Sequence, residues 1–140
     1  MECWEILICE GKGKITGQRV LEIHGETGPR LETSFSGEGK IKGNIEYTEM
    51  WTYWTEQRQD GTQYGEGNGV WMTKDGSEVV TMMGQAVGRM TNSGVMHFAA
   101  TNFCPTSSMG KFAFMNNMVT VVEYDADNLN NYKNKIWEWQ

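Results

Sequence analysis

Proline, cysteine, histidine and long apolar runs are all scarce in this chain, and each scarcity closes off a class of function. The three cysteines, Cys3, Cys9 and Cys104, are odd in number and show no CxxC spacing. They suggest neither a disulfide framework nor a zinc site, and they read as reduced thiols, with Cys9 and Cys104 in apolar surroundings. The only histidines, His24 and His97, lie far apart, so no metal site can be built on them from spacing alone. No apolar stretch approaches the ~20 residues that span a bilayer, and the start MECWEILICE lacks the basic region of a secretory signal. A soluble, cytoplasmic protein without membrane contact is expected. Its 12 Lys and Arg residues are scattered and the net charge is -6, which argues against nucleic acid as a partner.

What remains is glycine and alternation. With 17 glycines, 2 prolines and no long helical period in 140 residues, the composition favours a single all-β domain over residues 1–140. The firmest local signal runs from Trp54 to Met90, where Asp60-Gly61 and Lys74-Asp75-Gly76 mark two tight hairpin turns between three antiparallel strands. In the middle strand, Thr62 to Thr73, Gly65, Gly67 and Gly69 share a face with Trp71, and Tyr64, Glu66, Asn68, Val70 and Met72 share the other. Alternate glycines inside a strand mark a coiled sheet or a surface on which something large lies flat. A curved, closed sheet is expected, with the Trp71 indole covering the bare backbone.

The rest of the chain continues as a meander. Trp4 to Cys9 is a short apolar run bounded by Gly11 and Gly13, and Ile15 to Ile23 follows as a second strand before the loop His24 to Pro29. Leu31 to Gly43 alternates. Asn44 to Gln57 carries large groups on both faces, Ile45, Tyr47, Trp51 and Tyr53 against Thr48, Met50, Thr52 and Trp54. One face should meet the core and the other an oligomer partner or a covering segment. Ser77 to Met90 and Val95 to Cys104 are further strands, separated by a turn at Thr91 to Gly94. Pro105 to Asn117 breaks the pattern; Thr106, Ser107 or Ser108 is placed to cap a short helical turn whose Phe112, Phe114 and Met115 would lie over an open barrel end. Met118 to Tyr124 and Tyr132 to Gln140 complete the set. Strands in such a row expose edges unless they close, so the expected fold is a closed antiparallel up-and-down β-barrel of about eight strands with one short helical segment near the C-terminus.

A barrel of eight strands has room for side chains or one small ligand. The polar residues placed to line such a cavity are Tyr64, Glu66, Asn68, Gln85, Arg89, His97 and Asn102, and they are the candidate ligand-binding set. A buried carboxylate near histidine suits acid and base work or anchors a ligand's polar end. No catalytic residue is identified, and no cofactor or metal is implied. Ser108-Met109-Gly110-Lys111 has serine-to-lysine spacing but no partner motif. Gly65-x-Gly67-x-Gly69 continues into a strand instead of opening a helix, unlike a dinucleotide loop. Asp125-Ala126-Asp127 opens like a calcium loop but has Ile136 where the closing Glu belongs. The ten methionines supply adaptable core filling or a pliable lining.

Four stretches, Gly13 to Leu21 (GKITGQRVL), Tyr64 to Gly76 (YGEGNGVWMTKDG), Gly84 to Arg89 (GQAVGR) and Lys135 to Trp139 (KIWEW), resemble an uncharacterised prokaryotic family with the allene-oxide-cyclase-like barrel. The resemblance implies a closed antiparallel barrel with a short helical segment before the last strands. At the fold level it implies an apolar lumen of the kind that cyclases use to steer a reactive chain. Three functions follow as expectations: a small-molecule-binding barrel holding an apolar ligand, an isomerase or cyclase using the same lumen, and a non-enzymatic homo-oligomeric module with a filled interior. Lumen volume separates them.

Overall fold

The structure, a computed structural model, describes residues 6–24, 28–41 and 44–139, the side chain of His24 excepted. Eight strands follow in order: β1 Ile6–His24, β2 Gly28–Ile41, β3 Ile45–Gln57, β4 Gln63–Thr73, β5 Val79–Met90, β6 Met96–Phe103, β7 Val119–Ala126 and β8 Asn131–Glu138. Each pairs antiparallel with its neighbour in sequence, and β1 pairs with β8 to close the barrel. The expected up-and-down barrel is therefore observed, with eight strands and, among the described residues, the 3-10 turn Ala113–Met115 as its helical segment.

The turns form for the expected chemical reason. Gly61 and Gly76 adopt φ of 88° and 76°, the left-handed region in which a Cβ would clash. Before each, an aspartate folds back on the chain: Asp60 Oδ1 accepts from the Thr62 amide and hydroxyl, and Asp75 Oδ1 accepts from those of Ser77. These bonds hold both Asp60 and Asp75 well below the usual carboxylate range.

Two expectations about elements are corrected. Gly11 and Gly13 do not end the first strand: β1 runs through them for 19 residues, absorbing its curvature in register shifts near Cys9, Thr16 and Leu21. Trp4, at the start of the expected first strand, lies outside the described residues, as does Cys3. The segment before the 3-10 turn is not capped by Thr106, Ser107 or Ser108. Phe112 occupies the cap position without a side-chain bond, and Glu78 from the β4–β5 side takes over, accepting from the Lys111 and Phe112 amides and the Ser108 hydroxyl. Phe112 and Met115 are fully buried, Phe112 with its ring against Trp71, whereas Phe114 is exposed.

Register decides what fills the interior. Reading across paired strands, Trp51 stands opposite Gly69, Tyr53 opposite Gly67, Tyr47 opposite Gly39, Phe98 opposite Gly88, and Tyr132 opposite Gly13. Each of these five inward glycines thus faces a large inward side chain on the next strand, whereas Gly65 faces Thr55 and Ala86. At Gly69 a Cβ would fall within the indole of Trp51, and at Gly88 it would fall within the ring of Phe98. An eight-stranded barrel is only just wide enough for its own side chains, so rings of this size fit because their neighbours have none. The object lying flat on the glycine row is the protein's own aromatic set. Over Gly69 it is Trp51, not Trp71 as the sequence suggests.

Candidate functional site

The alternation that sends Gly65, Gly67 and Gly69 inward sends Tyr64, Glu66, Asn68, Val70 and Met72 outward. Of the seven candidate residues, six therefore carry their side chains on the outer wall, and only Asn102 turns toward the lumen, in line with Tyr53, Gly67 and Gly84. The outer six divide into groups. The Tyr64 hydroxyl donates to Glu66 Oε2 at 2.7 Å and lies 3.1 Å from Gln85 Oε1, and Asn68 borders the same shallow concavity of about 570 Å³ as Glu66 and Gln85. His97 is opposite Arg89 on β5 and pairs with Asp125 on β7, Nδ1 to Oδ1 2.5 Å. The structure gathers Tyr64, Glu66, Asn68 and Gln85 at one place and holds Arg89 and His97 apart from them.

Inside, the chemistry centres on a residue outside that set. Glu49, at the middle of β3, is 2% exposed and points into the barrel between Tyr47 and Trp51. Its Oε1 accepts from the indole nitrogens of Trp71, at 3.0 Å, and Trp51, at 3.2 Å. Its Oε2 accepts from the Tyr132 hydroxyl at 2.7 Å and from Asn134 Nδ2 at 3.2 Å. An indole N–H can only donate, so Oε1 must be an acceptor. Three strands, β3, β4 and β8, are tied through one carboxyl group. Burial raises the Glu49 pKa above the usual carboxylate value, partly countered by the Tyr132, Trp71, Asn134 and Trp51 hydrogen bonds.

The surroundings are phenolic and apolar. Tyr47 stacks on Trp71 with ring centroids 4.0 Å apart and donates to Cys9 Sγ at 3.4 Å. Burial pushes the Cys9 thiol up to about 12, leaving it inert as a nucleophile, and Cys9 and Cys104 are both free and buried. Burial likewise raises Tyr47, Tyr124 and Tyr132. Beside Glu49 lies a cavity of about 80 Å³ bounded by Phe35, Trp51, Tyr53, Phe98, Tyr124 and Asn134, among others. Asn134 Oδ1, which lies against Gly11, is buried without a hydrogen-bond partner among the described residues.

A signal for Glu49 was present in the sequence. It sits at the i+2 position between Tyr47 and Trp51 on the face that also carries Ile45 and Tyr53. An acid in the centre of an aromatic, core-facing stripe breaks the alternating pattern, and such breaks mark functional or structurally constrained positions.

Comparison with known proteins places the fold and stops there. No protein-family model and no curated protein matches the chain. Solved structures do match it. They include a conserved protein of unknown function from Rhodopseudomonas palustris (TM-score 0.75, 14% identity, 95% of each chain). Another is a protein of unknown function from Clostridium acetobutylicum (0.74, 13% identity, 96% of this chain and 95% of that one). A third is a beta-barrel like protein from Acinetobacter baumannii (0.78, 12% identity, 96% and 94%). At such identities the likeness is one of architecture. No helix among the described residues is long and apolar enough to cross a membrane. What the chain shares with these proteins is the closed eight-stranded antiparallel barrel over nearly its whole length.

Proposed function

We propose that this protein is a non-enzymatic, self-associating barrel module that works from its outer wall, with the interior serving as a rigid core. The observation that carries this reading is the contrast in free space. The lumen holds about 80 Å³, whereas sites for drug-sized ligands run to ~300–1,000 Å³. A cyclase or a carrier of an apolar chain, which the resemblance to allene-oxide-cyclase-like barrels implies, needs a chamber of that larger kind. Here the space is taken by Trp51, Trp71, Tyr47, Phe35, Tyr124 and Tyr132.

The outer wall is the opposite case. On β3, β4 and β5, the outward residues Thr48, Met50 and Thr52, then Asn68, Val70 and Met72, then Val79, Thr81 and Met83 form a grid without a single charge. Phe103 and Val119 extend it across β6 and β7. Met50, Met72, Val79, Met83, Phe103 and Val119 are all exposed. A concavity of about 690 Å³ runs along this grid, reaching Ser34 and Ser36 of β2, with no charged residue on its lining. Contiguous apolar surface of this kind marks an interaction site.

The occupant we assign is a second copy. The chain carries a net charge of -6, and the far side of the barrel bears a lattice of Glu10, Lys12, Glu38, Lys40, Lys133 and Lys135. Two copies meeting on the uncharged grid avoid like-charge contact, and a closed barrel has no strand edge to offer. Tyr64, Glu66 and Gln85 border the grid next to Asn68 and supply the hydrogen-bonding rim that interfaces carry around an apolar centre.

Sedimentation velocity tests this. Wild type should sediment as a dimer. Val70→Lys, which puts a charge at the grid's centre, should sediment as a monomer with an unchanged near-ultraviolet dichroism spectrum. Lys40→Glu, on the charged side, should remain a dimer. A monomeric wild type, or a Val70→Lys protein that still dimerises, overturns the proposal.

A further inference from the structure

We infer that β1 beyond Lys14 is a second contact between copies of this chain, distinct from the grid, at which its free edge pairs antiparallel with the same edge of another copy. Closure removes strand edges only where β8 reaches β1, and that pairing ends with Lys14 opposite Asn131. The Ile15 amide makes one last bond, to the Asn130 carbonyl. From there β1 continues paired with β2 alone, as far as His24 opposite Gly28. Every residue from Thr16 to Ile23 is exposed. The segment is a strand with water on both faces and along one edge, and the unpaired backbone donors and acceptors of such an edge are a template for another strand.

Natural edges are guarded by charge, proline or bulges, and here the guards are turned aside. The charged side chains of the segment, Arg19 and Glu22, reach across to β2: Arg19 Nε lies 2.9 Å from Glu32 Oε1, and Glu22 Oε1 lies 3.5 Å from Arg30 Nη1. No proline occurs between Thr16 and Ile23. The register shifts fall between Ile15 and Gly17 and between Val20 and Glu22, so Gly17 to Val20 runs regularly between them. Val20 and Ile23, 59% and 77% exposed, together with Leu21, give an incoming strand apolar side chains to cover.

The occupant follows from what a second copy can offer. Pairing along an edge needs an edge in return. Among the described residues the other open stretch of more than three residues is Val79–Met82 of β5, beyond the last β6 pair at Met83, and there Thr106 already accepts from the Thr81 amide. Like edge therefore meets like edge, the self-complementary arrangement of a two-fold contact. Charge agrees with this. The whole chain carries -6, but in the paired stretches Thr16–Ile23 and Pro29–Ser34 the charges of Arg19 and Arg30 balance those of Glu22 and Glu32. Two copies thus meet where their like charge is cancelled. The grid lies on β3 to β5 and this edge on β1, so one copy carries both contacts, and two distinct two-fold contacts join dimers into tetramers or open chains.

The test is sedimentation velocity and amide hydrogen exchange on the full chain at rising protein concentration. Wild type should pass from dimer to larger species, and as it does the amides of Gly17–Ile23 should exchange several-fold more slowly. Val20→Lys and Ile23→Lys place a cation at exposed positions of the edge, where two copies bring like charges together. Both should stay dimers, with no slowing of exchange in β1 and an unchanged near-ultraviolet dichroism spectrum. Leu129→Lys, at another exposed apolar residue but in the β7–β8 turn, should assemble as wild type does. Larger species without slowed exchange in β1 mean adhesion without strand pairing and overturn the inference. So do a wild type that never exceeds a dimer and edge variants that assemble as wild type does. The grid fails separately: a dimer lost in Val20→Lys but kept in Val70→Lys would fault the grid and leave this edge as the dimer contact.

Discussion

The lumen and the outer wall are built from alternate residues of the same strands, and they treat the same side-chain types in opposite ways. Glu49 and Glu66 lie on neighbouring strands. The first is enclosed and accepts four hydrogen bonds from three other positions along β4 and β8 and one on its own strand; the second is in water with one phenol on it. Asn134 inside spends its amide on Glu49, whereas Asn68 outside borders an open concavity. The polar groups around Glu49 inside are few and interlocked. Those outside are numerous and independent. The consequence is that a polar residue's contribution here is set by which parity of the strand it occupies, since burial without a partner is what makes a polar group costly.

The comparison is broken most severely at Glu49. Glu49→Leu keeps the bulk but leaves two indole N–H groups, a phenol and an amide facing an apolar side chain. Stability should fall by about 3–5 kcal/mol, the range for removing one partner of a buried polar cluster, as measured by urea titration. A loss below ~1 kcal/mol would mean that the four donors find other acceptors, and the lumen would be no more specific than the wall.

Much of this architecture was legible in the sequence. Asp-Gly turns and two-residue alternation sufficed for an eight-stranded meander because both signals are local: one residue's φ, the next residue's face. The direction in which each face points is not local. Gly65, Gly67 and Gly69 leave a strand face bare, and a bare face suits either solvent or a crowded interior. The choice depends on Trp51 and Tyr53 lying opposite, which is a matter of register with β3. Gly11 and Gly13 misled for the same reason, since each lies opposite a large lumen residue, Asn134 and Tyr132, and needs no strand end. Cavity volume is further still from the sequence, because it is the small remainder after large side chains are packed.

The pairing of glycine with aromatic residue gives the next largest effect. Gly69→Ala places a methyl group inside the Trp51 indole and should destabilise by about 1–3 kcal/mol, the usual range for overpacking. Gly17→Ala, also on a strand but with nothing within 4 Å of the added carbon, should change stability by less than about 0.5 kcal/mol. Equal losses in the two variants would show that glycine acts here through backbone freedom and not through the space it leaves for a ring.

Acid and base separate the two regions by sign. Burial raises Glu49 above its ordinary value of 4.5, so between 4.5 and its folded value the native state holds a proton that the unfolded chain has released. Glu49 therefore supports the fold fully below pH 4.5, and that support is lost as pH rises through the window. The slope should approach about 1.4 kcal/mol per pH unit within it. The phenols and thiol packed around it, Tyr47, Tyr124, Tyr132 and Cys9, are all raised and stay neutral there. The outer aspartates Asp60, Asp75 and Asp127 are lowered by their turn hydrogen bonds and act oppositely: their support is present above the ordinary value and is lost as pH falls. Glu49→Gln should remove the high-pH decline and keep the acid-side loss, read from melting temperature between pH 3 and 8. A decline that persists in Glu49→Gln would assign it to another group.

The smallest effect is expected at Glu66. Its carboxylate accepts from Tyr64 at 2.7 Å on the open wall, where water replaces a lost partner at little expense. Glu66→Gln preserves an acceptor for that phenol and should alter stability by less than about 0.5 kcal/mol. Any shift in sedimentation should be confined to a modest change in the dimer's dissociation, since Glu66 stands at the rim of the uncharged grid and Val70 at its centre. A loss of stability in Glu66→Gln as large as that in Glu49→Leu would show that the two faces of β4 communicate through the strand, and the separation of a rigid interior from a working exterior would no longer hold.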